Sequence, residues 1–98
     1  MPIARWPLGT TLSEAIHSVL AQKARPTGKP LAFEAAAKEI GTTLSTFSRW
    51  ASETVGQVPY GSAVDDLAEW LGTDLVGIGA LIAATLRGRE KWSPRAQR

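Results

Sequence analysis

Gly41 constrains this chain more than any other residue. It lies between two short segments that repeat apolar residues at helical spacing: Phe33, Ala36, Ala37 and Ile40 before it, Phe47 and Trp50 after it. A glycine just past the last apolar repeat is where a helix ends cheaply, because positive φ costs it little. Thr43 follows closely and is a natural N-cap for a new helix. The pattern predicts helix 2 over about 31–40 and helix 3 over about 44–52. Helices joined by so tight a turn cross at about 90–120°. Such a crossing needs a small residue at the approach, and Ala37 supplies it. With Phe47 and Trp50 facing inward, Leu44, Ser45, Ser48, Arg49 and Ser52 remain on the outer face of helix 3. Most of these are short and polar, which lets a helix sit deep in a major groove.

The rest of the chain reads as three more short helices. Thr11 with Glu14 three residues on has capping-box spacing, and Leu12, Ile16, Val19 and Leu20 form the stripe of helix 1, about 12–24. The stretch Arg25-Pro26-Thr27-Gly28-Lys29-Pro30 ends it. Ser62 is the expected cap of helix 4, with Asp65 in its first turn, apolar Val64, Leu67, Ala68 and Leu71, and Gly72 as its stop. Thr73 is the expected cap of helix 5, about 74–86, with Leu75, Ile78, Leu81, Ile82 and Leu86 apolar. No strand alternation of useful length and no repeat occurs. The fold class expected is all-α: a compact bundle of about five short helices containing a helix-turn-helix. A flexible N-terminal arm (1–9), a DNA-binding domain (10–86) and a basic C-terminal tail (87–98) make up the expected organisation.

Charge is distributed unevenly although the net charge is only +2. Residues 1–52 hold six bases against three acids. Residues 53–86 hold Glu53, Asp65, Asp66, Glu69 and Asp74 and no base, and from Arg87 on five bases face one acid. Such segregation suggests that two regions face a polyanion and one does not. The absence of cysteine excludes disulfides and thiolate metal sites. The first residues lack the apolar stretch of a signal peptide, and no apolar run is long enough to span a membrane. The expected location is cytoplasmic, on the nucleoid. An enzyme is disfavoured: no phosphate-cradling glycine loop, metal-ligand cluster or cysteine nucleophile occurs, and His17, the only histidine, sits off the stripe of helix 1. No cofactor or metal is expected.

Residues Ala37, Gly41, Thr42-Thr43 and Ser45-Thr46-Phe47-Ser48-Arg49-Trp50, followed later by Asp66-Leu67-Ala68-Glu69-Trp70-Leu71-Gly72-Thr73-Asp74-Leu75, resemble the lambda-repressor-like (Cro/XRE-type) helix-turn-helix family. The resemblance covers about residues 12–82. It implies a five-helix bundle whose third helix enters the major groove, and a transcriptional regulator, a repressor of phage or prokaryotic type. Carried over, Leu44, Ser45 and Arg49 fall at base-reading positions. Arg49 suits guanine O6 and N7, and Leu44 suits a thymine methyl or a sugar where the family often has a polar group. Thr43, Thr46 and Ser48 fall where hydroxyls and helix amides reach phosphates. The segment 53–62 departs from the family in lacking bases, so Gln57 is a candidate backbone contact there, and affinity is expected to lean on Lys23, Arg25, Lys29, the tail and Arg5 in the arm. Phe33 also departs, standing where a polar residue commonly opens helix 2. The competing reading is a protein-interaction module on the same fold, antitoxin-like or a phage regulatory partner. A homodimer on DNA through helix 5 is a further expectation, since Leu75, Ile78, Leu81, Ile82 and Leu86 exceed what a small core needs and Gly77 and Gly79 permit close approach.

Overall fold

Five α-helices follow one another in a computed structural model that describes residues 6–7, 9–23, 28–29 and 31–92. They are α1 (Leu12–Gln22), α2 (Phe33–Ile40), α3 (Leu44–Ala51), α4 (Ser62–Leu71) and α5 (Leu75–Trp92). No strand occurs among the described residues, and the protein is an all-α bundle.

The capping box of α1 forms as its spacing predicts. Thr11 Oγ1 accepts from the Glu14 amide at 3.2 Å, and Glu14 Oε1 accepts from the Thr11 amide at 2.9 Å. Gly41 ends α2 with φ +92°, and Gly72 ends α4 with φ +73°. In both cases backbone amides just past the helix return to carbonyls in its last turn, which satisfies groups a helix end otherwise leaves bare.

Five boundaries differ from the sequence expectation. α1 ends at Gln22 rather than about residue 24, with Lys23 at its C-cap. α2 starts at Phe33 instead of 31, because Ala32 has an extended backbone (φ −68°, ψ 147°) at the N-cap; Leu31 before it is buried and donates its amide to Leu20 O at 3.1 Å. Ser62 does not cap α4: Gly61 holds the cap position at φ +63°, and no side chain bonds there. Thr73 does not cap α5 either. Asp74 does so, its Oδ1 accepting from the Gly77 amide at 2.8 Å. The largest difference lies at the other end of α5, which runs through Trp92 rather than stopping at Leu86. Nothing between Arg87 and Trp92 breaks a helix except Gly88, and one glycine costs only about 1 kcal/mol against alanine. The basic segment therefore begins as a continuation of α5.

The core gathers the inner faces of all five helices. Leu12, Ile16, Phe47, Leu67 and Ile78 are its largest fully buried side chains, each stabilising the fold by about 1.5–3 kcal/mol through burial. A polar tie runs through it. Thr85 Oγ1 accepts from the Leu12 amide at 2.8 Å and donates to Leu81 O, so a helix-start amide of α1 is satisfied by α5. On the surface, Trp70 Nε1 donates to Glu39 Oε1 at 2.9 Å, Lys23 lies 3.4 Å from the same carboxylate, and the Lys23 ammonium sits over the Trp70 ring. That cluster joins the end of α1 to α2 and α4. No single described helix is long and apolar enough to cross a membrane.

Candidate nucleic-acid interface

The unit formed by α2, the Gly41 turn and α3 is built from the inside out. Phe47, Trp50 and Ala51 are buried, and they fix which way α3 faces. Phe47 meets Phe33 edge-on at 5.2 Å and Trp70 edge-on at 5.8 Å, so α3 is gripped from α2 and from α4 by aromatic pairs. This explains why Phe33, which is half-buried, stands at the start of α2: it completes the grip. Trp50 Nε1 is buried and finds no hydrogen-bond partner, the one such side-chain atom among the described residues.

α1 holds the far end of α3 by its last carbonyl. Ser13 Oγ, buried, donates to Ala51 O at 2.6 Å, and His17 Nε2 lies 3.1 Å from the same oxygen, a donor when that nitrogen carries the proton. The His17 ring also leans on Phe33 at 5.9 Å. Sequence patterning missed both residues. His17 lies off the apolar stripe, and the buried Ser13 lies between apolar neighbours with no partner visible along the chain. The only available signal was a serine at a position flanked by core residues.

The outer face of α3 carries what the inner face excludes. Leu44, Ser45 and Arg49 are exposed, and Ser48 is half-buried beside them. Leu44 remains 47% exposed, so it is not a packing residue of the helix start. The three candidate base-reading residues thus share one open face. Among the candidate backbone contacts, Thr43 is already engaged: its Oγ1 accepts from the Thr46 amide at 3.1 Å and donates to Thr46 Oγ1 at 3.0 Å. Thr43 acts as the N-cap of α3, while the Thr46 hydroxyl keeps its own proton to donate. Lys29 is exposed and Gln57 half-buried. Arg5 and Arg25 lie outside the described residues, as do Arg95 and Arg98. Lys23, one of the bases expected to carry affinity, is exposed and lies beside Glu39 and Trp70.

Helix 5 departs from the sequence reading in a way that matters for assembly. Ile78 and Leu81 are buried in the monomer core and Ile82 is half-buried against it, so these residues of the expected dimer surface are not available. Leu75 and Leu86 are exposed. Gly77 is not an approach point, since a Cβ there would collide with the Thr73 side chain. No group of three or more His, Asp or Glu able to hold a metal ion occurs among the described residues. No protein-family model, curated protein or solved structure matches this chain.

Proposed function

We propose that this chain is a sequence-specific double-stranded-DNA-binding regulator of transcription, of the repressor type, that reads the major groove with α3. One observation carries the reading: α3 is anchored behind by Phe47, Trp50 and Ala51 and opens outward a face of Ser45, Ser48 and Arg49. Short polar side chains keep such a helix narrow, and a guanidinium at its surface has the fork to bond a guanine edge twice. Arg49 is the direct reader in this account, Ser45 and Leu44 sit beside it on the bases, and Thr46, Ser48 and Lys29 lie toward phosphates. The function is binding rather than catalysis, and it would be exercised on the nucleoid in the cytoplasm.

The regulator reading is supported further by rigidity. A reading helix held by aromatic contacts from two helices and a buried hydrogen bond from a third loses little freedom on docking. The experiment is selection of preferred duplexes from a random pool, repeated with Arg49→Ala. A defined site whose preference relaxes at one position with the variant supports the reading. No enrichment over random sequence removes it.

A second reading has its own observation. Leu44 is 47% exposed at the start of α3, and the segment 53–62 after the helix carries no base to grip phosphate. A protein-interaction module would use that face through Leu44. Leu44→Ser separates the two: it spares a DNA site read by Arg49 except at one step, and abolishes an apolar protein contact.

A further inference from the structure

A cleft of about 310 Å³ opens between the turn that precedes α1 and the start of α5. That volume lies at the lower end of the range taken by small-molecule sites. Hydrogen bonds fix one wall. Pro7 O accepts from the Thr10 amide at 3.1 Å and from Thr10 Oγ1 at 2.6 Å, and Gly9 turns the chain at φ +91°. This turn holds Trp6, half-buried, against the hydrophobic core, and Trp6 and Pro7 face the cleft together. The opposite wall is one stripe of α5: Val76 and Ala80, and Gly77 and Leu81, are each four residues apart and share a face. Leu81 is buried and forms the floor, and the small residues at 77 and 80 leave the room above it.

Polar groups gather at one end of this apolar slot. Asp74 Oδ1 caps α5 by accepting from the Gly77 amide at 2.8 Å, and the second carboxylate oxygen has no partner among the described residues. The Thr73 hydroxyl occupies space that only a glycine at 77 leaves open, and it makes no hydrogen bond to the described residues. A helix start carries about half a positive charge, which one carboxylate more than cancels. No base occurs from residue 53 to residue 86, so the α5 side of the cleft is negative.

We propose that this cleft binds a small protonated amine with a flat apolar body, an arylalkylamine in chemical class. The ammonium donates to the free oxygen of Asp74 and to the Thr73 hydroxyl. The ring lies over Leu81, between Trp6 and Pro7 on one side and Gly77 and Ala80 on the other, where its apolar area leaves water. An anion would meet Asp74 with like charge, and an uncharged ring would leave the carboxylate unused. The cleft includes no residue of α3, so the site stands whether or not the chain reads DNA.

Titration of the isotopically labelled full chain with phenethylamine, followed by amide chemical shifts without DNA, tests the site. Saturable shifts at Trp6, Thr10 and residues 73–81 are expected, with a Kd of about 1 mM for a ligand of about ten non-hydrogen atoms in an open cleft. No saturation, or shifts centred elsewhere, overturns the proposal. Ala80→Leu fills the slot from an exposed position and should abolish binding with helical circular dichroism unchanged; full binding by this variant overturns the site. Asp74→Asn keeps a capping side chain but removes the charge. It should weaken phenethylamine about three- to fivefold and leave phenethyl alcohol, the uncharged counterpart, unaffected. Equal losses for both overturn the ammonium contact. Hydrocinnamate, the anionic counterpart, should bind least, and tighter binding than the amine overturns the charge assignment. Two other occupants have arms of their own. Tighter binding of N-acetyl-lysine methylamide than of phenethylamine gives the cleft to a protein side chain, and binding seen only in Arg5→Ala gives it to the chain's own N-terminal residues. Either result overturns the proposal.

Discussion

α3 and α5 solve the same packing problem and end with opposite surfaces. Each buries one side in the shared core, α3 through Phe47 and Trp50 and α5 through Ile78 and Leu81. The side that α3 leaves open is polar and carries one guanidinium, while the side that α5 leaves open is a row of alanine, glycine, valine and leucine. A polar face loses little by meeting a hydrated, charged groove. An apolar face gains only when its partner removes it from water, at about 25 cal/mol per Å². The two helices therefore present open surfaces of different chemistry, one polar and one apolar, and nothing in their helical geometry alone makes that distinction.

The comparison breaks most completely at the buried side. Phe47→Ala removes a ring in contact with Phe33 and Trp70 and should cost about 3–5 kcal/mol out of a total of about 5–15. Thermal unfolding should show a large drop in Tm, and both surfaces should fail together; a variant of unchanged Tm would place Phe47 outside the core.

Changes on the open side of α3 should separate function from stability. Arg49→Ala should weaken specific DNA binding by about 1–3 kcal/mol while Tm stays nearly constant. Equal losses on specific and random duplexes, measured by titration, would make Arg49 a phosphate contact and leave the outer face without a reader.

A smaller effect is expected at the tie between α1 and α3. Ser13→Ala removes the buried hydrogen bond to Ala51 O, while His17 still reaches the same oxygen, so about 0.5–1.5 kcal/mol should be lost in denaturant unfolding. A loss well above that would show that Ser13 organises more than one carbonyl.

The least costly change to the fold lies on the open side of α5. Val76→Glu alters an exposed position and should shift unfolding by no more than about 0.5 kcal/mol. A large stability loss would mean that Val76 belongs to the core.

Local chemistry was legible in the sequence. The Thr11–Glu14 box, the Thr43 cap and the glycine stops at 41 and 72 are each decided by residues a few positions apart, so spacing alone reveals them. The inward register of Phe47 and Trp50 was equally readable, because a helix with two aromatics three residues apart has one way to bury both. That register placed Leu44, Ser45 and Arg49 together on one open face. Tertiary structure decided what contiguous residues could not. Capping by Asp74 rather than Thr73 depended on where the chain turned into α5. Ser13 and His17 became supports of α3 only because α1 passes its last carbonyl, and Lys23 met Glu39 and Trp70 only because two other helices bring them beside it. In α5 the apolar pattern runs nearly all round, so periodicity could not say which residues would be buried. The choice between Ile78, which is buried, and Leu75, which is exposed on the same apolar stripe, was made by where α1 and α4 lie, since burial is a property of the neighbours a side chain meets and not of the side chain alone.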